Sequence, residues 1–415
     1  MFSLHERTQR RVCQVAFIAV CVVPTVLAIG WVVYFHRPWQ EHDWQRHLEE
    51  SLHLRVEVAQ VSAPRPGERQ FEGVRLADLQ SGAELATIDR VTLNRDQSLA
   101  MGRVELRAEQ FFRLVTALEI YLAGSEYPAS TWTAEVLVVR SSSGKSWELS
   151  NAQATGENGS QSNRRIEFQA QVAGNHPGER QSIRLGVERL AIGDLQALLD
   201  ASQAKLPVWL LADVVPGAKS WAGAELVGEL QLNSGVQGSS GVLRGRIAPI
   251  DTQVWIGADS PHRITAQAAL QFETLEWAGS QIRQAQGTLE AEGGTLSHAL
   301  LVSLEKNLHC TLGETFSKLT PNELVAFDRL GLRFYFGGSG LTVTGTCLTA
   351  GDSAPGCMVA AGGAALLNQP AYSNLPAPLF VQVFCPLEKN WLPESHEWLP
   401  ASQQATRLFE RLPNK

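Results

Sequence analysis

From His53 onward the chain alternates apolar and polar residues with a period of two, and that habit limits the folds open to it. Successive side chains of a strand point to opposite faces. The period therefore means one face against an apolar environment and one toward water, the pattern of antiparallel sheets. HLRVEV (53–58) puts Leu54, Val56 and Val58 on one side and Arg55 and Glu57 on the other. RIEFQAQV (165–172) sets Ile166, Phe168, Ala170 and Val172 against Arg165, Glu167, Gln169 and Gln171. RITAQAALQF (263–272) gives one face of Ile264, Ala266, Ala268, Leu270 and Phe272. FEGVRL, ELATIDRVTL, SIRLGVE and LRFYF repeat the pattern, with turns such as PRPGER (64–69) and Ser81-Gly82 between strands. The expected fold is mainly β.

Helical spacing is rarer. Residues 108–123 place Phe111, Leu114, Val115, Leu118, Tyr121 and Leu122 on one stripe, and 192–202 offer Asp194 as a cap. Residues 297–308 and 402–412 are similar. Each stripe is amphipathic and is expected to pack on the sheet. The polar stretch 151–165 reads as a loop and contains Asn158-Gly159-Ser160, a glycosylation sequon in a eukaryotic secretory route. Trp-Ala-Gly occurs at Trp221 and again at Trp277, without a fixed-period repeat.

A different signal precedes the strands. Residues 12–35, VCQVAFIAVCVVPTVLAIGWVVYF, carry no charge. As a helix this run spans roughly 36 Å, against about 30 Å of bilayer hydrocarbon. Pro24 would kink such a helix, which membranes tolerate. Trp31, Tyr34 and Trp39 fit an interfacial belt. Arg7, Arg10 and Arg11 stand before the run against Glu6, whereas Arg37 and Arg46 after it face Glu41, Asp43, Glu49 and Glu50. The positive-inside rule then keeps the N-terminus in the cytoplasm and exports the rest. Val26-Leu27-Ala28 satisfies the cleavage rule of a signal peptide, but the apolar run continues through Phe35, which favours an uncleaved anchor.

The expected organisation is a cytoplasmic tail (1–11), a single transmembrane helix (12–35), a first β-rich region (36–205) with the helix 108–123, a second (206–310), and a cysteine-containing region (311–415) with a terminal helix. The net charge of −7 argues against a nucleic-acid binder. Of six cysteines, Cys13 and Cys21 lie in the apolar run, while Cys310, Cys347, Cys357 and Cys385 fall late in the chain. Four thiols in an exported domain suggest one or two disulfides. Cys347 and Cys357, which flank the turn-rich GDSAPG (351–356), are the first candidates to face each other across a hairpin. Buried free thiols and a metal site are the alternatives, although no Cys-x-x-Cys occurs.

Catalytic patterns are not recognisable. SSSGKS (141–146) lacks the first glycine of a phosphate loop and runs on into strand-like WEL, so a hairpin turn is expected. FGGSGLTVTG (336–345) lacks the dinucleotide spacing. His42 and His47 are five apart, and His309 and Cys310 would point to opposite faces of a strand. Glu290 and Glu292 share a strand face that is expected to be solvated. The expectation is a protein without enzymatic activity, metal or cofactor.

The N-terminal apolar run, then VEVAQVSAPRPG, then FEGVRLADLQSGAELATIDRVTL, resembles the opening of AsmA-like envelope proteins. WAGAELVGELQL, QGTLEAEGGTLSHALL and FDRLGLRFYFGGSGLTVTG are similar to the family's later strands. The likeness covers 12–93 and, through looser motifs, 220–345. It implies an elongated, curved, groove-like antiparallel sheet, anchored in the inner (cytoplasmic) membrane with its C-terminal bulk in the periplasm. It further implies lipid handling or outer-membrane homeostasis, with phospholipid or lipopolysaccharide as the partner. The face of Ile264, Ala266, Ala268, Leu270 and Phe272 would then meet lipid. The chain is short for the family, and its late cysteines are not part of the family pattern. A periplasmic scaffold with a closed β core and an enzyme with an unrecognised site are the alternatives.

Overall fold

The computed structural model describes residues 54–375 apart from 66–67, 80, 97, 111–130, 159–163, 174–179, 190–193, 213–214, 216–217, 222, 236–237, 256–261, 280, 315, 317–322, 339 and 348–355, together with 24–26, 46 and 49. Most of the 12–35 run, most of helix 108–123, all of 402–412, His42, His47, Cys13, Cys21 and Cys385 lie outside the described residues. Among those residues no helix is long and apolar enough to cross a membrane. The chain divides into two compact units, Met1–Gly156 and Glu157–Lys415. The expected boundaries near 206 and 311 both fall inside the second unit.

The first unit holds β1 (Arg55–Glu57), β2 (Gln60–Ser62), β3 (Arg69–Ala77), β4 (Glu84–Leu93), β5 (Leu99–Arg107), β6 (Thr131–Arg140) and β7 (Ser146–Asn158), the last crossing the division. β1 and β2 line one edge of β3, and β3 to β7 pair in sequence order. The pairs are antiparallel except β5–β6, which is parallel and so departs from the all-antiparallel expectation. A parallel pair needs a crossover of about a dozen residues or more, and 108–130 supply it. Of the helix expected there, Ala108–Gln110 form a 3-10 turn.

Alternation explains the core. Val74, Ile88, Val104, Leu137 and Leu149 are direct cross-strand partners, all buried. The opposite face carries two groups of ion pairs, Arg75 and Arg107 on Glu84 at 3.5 and 3.0 Å and Arg140 on Glu105 at 2.8 Å. These pairs are well exposed, so each contributes about 1 kcal/mol or less. SSSGKS is the β6–β7 hairpin turn, with Gly144 at φ +83° donating to the Ser141 carbonyl.

The second unit holds β8 (Arg164–Ala173), β9 (Arg180–Arg189), β10 (Leu195–Pro207), β11 (Glu225–Gly235), β12 (Gly238–Asp251), β13 (Ile264–Thr265), β14 (Gln267–Ala278), β15 (Gln281–Ser297), α1 (His298–Leu308), β16 (Cys310–Leu312), β17 (Leu324–Gly337), β18 (Gly340–Gly345), β19 (Cys357–Ala361) and β20 (Ala364–Pro370). The spatial order is β8-β9-β10-β11-β12-β14-β15-β17, all antiparallel. β18 and β19 pair with β17, and β20 lies between β19 and β16.

Two segments differ from the sequence reading. Of residues 192–202, expected as a helix, those from Leu195 on belong to β10. Leu, Ala and Gln favour a helix locally, but β10 is bonded along both edges, which satisfies its backbone in the sheet. One consequence is that Leu198 stays 48 % exposed. The polar stretch 151–165, expected as a loop, is β7 as far as Asn158 and β8 from Arg164, with Ala152 and Ala154 buried. Helix α1 follows its expectation. The Ser297 hydroxyl accepts the Leu300 N–H at 3.2 Å, and Leu300, Leu301, Leu304 and Leu308 are buried where the helix packs on β15 and β16.

Candidate apolar binding face

Cross-strand register turns the alternation of the second unit into continuous rows. Phe168, Leu185, Leu199, Leu230, Leu243, Leu275, Ala285, Phe336 and Leu341 are successive partners across nine strands. A neighbouring row on the same face runs Leu206, Leu226, Ile247, Leu270, Leu289 and Leu332. A third runs Ile250, Ala268, Ala291, Leu330 and Val359. On the other face Val227, Arg246, Gln271, Thr288, Arg333 and Thr344 are partners, as are Gln169, Arg184, Asp200, Glu229 and Arg244. One face is thus aliphatic and aromatic over its whole breadth, and its reverse is polar.

Between the first two rows glycines face aromatic rings. Ala201, Gly228, Gly245, Phe272, Gly287, Phe334 and Val343 are successive partners. A Cβ at Gly287 would collide first with the Gln271 carbonyl and would lie 3.1 Å from the Phe334 ring, so the glycine admits the close approach of both. Phe272 and Phe334 meet edge to face at 6.0 Å, and Trp221 lies 5.9 Å from Phe272. Trp221 ends the 3-10 turn Ala218–Trp221, which with Val208–Leu211 forms the connection from β10 to β11. Val208, Leu211, Val215, Ala218 and Trp221 are all buried, so this connection seals the middle of the face.

The cover is partial. Leu230, Leu243 and Leu275 are at most 2 % exposed, yet Phe168, Leu185 and Leu199 in the same row are half-buried. Leu226 and Ile247 are sealed, yet Leu289 and Leu332 further along their row are half-buried, as is Phe334 beside them.

The five residues singled out from 263–272 lie on this face. Ile264, Ala268, Leu270 and Phe272 are buried, and Ala266 is half-buried. The expected single strand is interrupted at Ala266, where the Thr252 hydroxyl takes the place of a ladder partner. It accepts the Ala266 N–H at 2.9 Å and lies 3.1 Å from the Ala266 carbonyl. Register shifts after Phe272 bring Leu275 and Trp277, rather than Thr274, onto the buried side. The alternation pointed to Phe168, Leu332 and Phe334, but not to Leu289. Nothing in a single strand shows which residues of distant strands become partners.

Cys347 and Cys357 are brought together. The Cys347 N–H donates to the Cys357 carbonyl at 2.9 Å, and the two thiols are hydrogen-bonded neighbours. Cys310, Cys347 and Cys357 are buried free thiols in this structure. Burial, reinforced by the adjacent Cys357, pushes the Cys347 thiol up to about 12, and burial does the same to Cys310. Glu290 and Glu292 are exposed on the polar face. Among the described residues no three His, Cys, Asp or Glu side chains are grouped to hold a metal ion.

No protein-family model matches the chain, and no curated protein matches it.

Proposed function

We propose that the chain is a non-enzymatic, membrane-anchored envelope protein whose apolar sheet face binds acyl chains. The observation that supports this most is that one apolar row, Phe168 to Leu341, crosses nine strands and is buried from Leu230 to Leu341 but left half-buried at Phe168, Leu185 and Leu199. Half-buried aliphatic and aromatic side chains in line with sealed ones leave apolar surface that an acyl chain can cover, at roughly 0.8 kcal/mol per buried CH₂. The likeness to AsmA-like proteins points the same way. By that resemblance the uncharged run 12–35 would lie in the inner membrane and the strands in the periplasm, with phospholipid or lipopolysaccharide on the face. Protease added to spheroplasts is then expected to remove everything after about His36.

A second reading, a scaffold with a closed β core and no ligand, is favoured by Trp221 over Phe272 and by the complete burial of Leu226, Ile247 and Ile250. The two readings separate on one experiment. Full-length protein is purified in a detergent chemically distinct from lipid, extracted with organic solvent and analysed by mass spectrometry. Acyl lipid at near-stoichiometric amount, lost in Leu332→Glu, supports the binding face. Lipid-free protein with an unchanged melting temperature after delipidation supports the scaffold.

A further inference from the structure

The sequence leaves the partner of each late cysteine open, and the fold narrows the choice. β20 lies between β16 and β19, with Thr311 and Cys357 both opposite Asn368. Cys310 and Cys357 are therefore on strands two apart, about 9.5 Å at the usual spacing. A disulfide spans Cα atoms no more than roughly 7 Å apart. Cys347 is placed differently. Its N–H is bonded to the Cys357 carbonyl, and its thiol lies against the Cys357 thiol in a small apolar cluster with Ala360 and Ala365. The N–Cα and Cα···O spans add roughly 4 Å at most to that 2.9 Å bond, so the two Cα atoms stand within roughly 7 Å, inside disulfide range.

We infer that Cys347 and Cys357 are an oxidisable pair that forms an intramolecular disulfide during folding, while Cys310 remains a thiol. A disulfide-carrying oxidant is required. The thiolate of one cysteine attacks the oxidant's S–S bond, forms a mixed disulfide and releases one oxidant thiolate. The second cysteine, as thiolate, then attacks the mixed disulfide and releases the other. The protein loses two protons and two electrons, and the oxidant becomes two thiols. Timing follows from burial. The thiolate is the reactive form, and both thiols are held protonated once the strands have closed over them. The bond must form before that closure. It would fix the end of β19, whose Val359 completes the row begun by Ile250. The inference does not depend on lipid binding.

The test refolds reduced, full-length protein in a buffer of reduced and oxidised glutathione. Free thiols are blocked with N-ethylmaleimide in denaturant, and the unreduced digest is mapped by mass spectrometry. The expected result is a cross-linked peptide joining Cys347 to Cys357, two hydrogens lighter than its parts, with Cys310 carrying the label. Label on both Cys347 and Cys357, or a link from either to Cys310 or Cys385, would overturn it. The same mapping on Cys310→Ser keeps the test valid if random pairing hinders refolding. There too the 347–357 link is expected, and two labelled thiols count against it.

Discussion

Trp221 lies 5.9 Å from Phe272 with the two rings tilted by 45°, so the connection between β10 and β11 closes over the apolar side of β14. Trp221 is 3 % exposed, its ring packed against Phe272. Trp221→Ala is expected to cost about 3–5 kcal/mol through lost burial and a residual cavity. It would also lengthen the open part of the face. Added oleate should then restore part of the lost melting temperature, because a ligand that binds only the folded state stabilises it. Thermal melts with and without oleate measure both effects.

Charge introduced on the apolar face should act differently at its sealed and open parts. Ala268 is 2 % exposed, between Ile250 and Ala291, and Ala268→Glu would bury a carboxylate with no cation partner. The expected loss exceeds about 4 kcal/mol, enough to unfold much of the protein. Leu332 is half-buried, and a carboxylate there can reach water. Leu332→Glu should cost only about 1–2 kcal/mol in lost apolar burial while abolishing acyl binding. Urea unfolding of the two variants gives the comparison.

Ser297 serves two backbone donors at once. Its hydroxyl oxygen accepts from Leu300 N–H at 3.2 Å and from Arg263 N–H at 3.0 Å, tying α1 to the segment before β13. Ser297→Ala is expected to cost about 1–2 kcal/mol, at the upper end of cap losses, since two donors are left without this partner. Ser297→Thr should recover most of it. Denaturant midpoints for the pair of variants decide whether the hydroxyl or the space is responsible.

The reduced thiols make stability depend on alkaline pH. Burial raises Cys347 and Cys310 from an ordinary value of 9.0 to about 12, and raises Cys357 as well. A raised folded-state value means that the unfolded chain releases its proton first. The contribution is complete below pH 9 and is lost progressively as pH rises from 9 toward 12. Stability of the reduced protein should therefore fall between pH 9 and 10.5, and less steeply in Cys347→Ser. An oxidised pair has no thiol proton to lose, so oxidation should flatten the same curve.

Much of this fold is legible in the sequence because a strand's faces are a local property. Ile166 and Arg165, or Leu54 and Arg55, declare their sides without knowledge of any partner. Helix α1 is legible for the same reason, since Ser297 and the leucines of 300–308 specify a cap and a stripe within one element. β10 is not. Residues 192–202 satisfy helical spacing as well as alternation, and only bonding to β9 and β11 selects the strand from Leu195 on. The parallel β5–β6 pair is equally hidden, because strand direction depends on where the chain returns after 130. For the candidate face, the sequence marks Phe168, Leu270 and Leu332 as apolar side chains of separate strands. Their assembly into rows depends on register, including the shift after Phe272, which no single strand reveals.

The most direct measurement is where an acyl chain touches the protein. A fatty acid carrying a photoactivatable diazirine is bound to the full-length protein, irradiated, and its adducts are mapped by peptide mass spectrometry. Leu198, Val227 and Tyr335 supply an internal control, as they are exposed apolar side chains outside the sealed rows, with Val227 and Tyr335 partnered to the polar-face residue Arg246 and to Gln286. The account predicts adducts at Phe168, Leu185, Leu289, Leu332 or Phe334 and none at the control residues. Adducts at Leu198, Val227 and Tyr335 alone, or no saturable labelling at all, would contradict it.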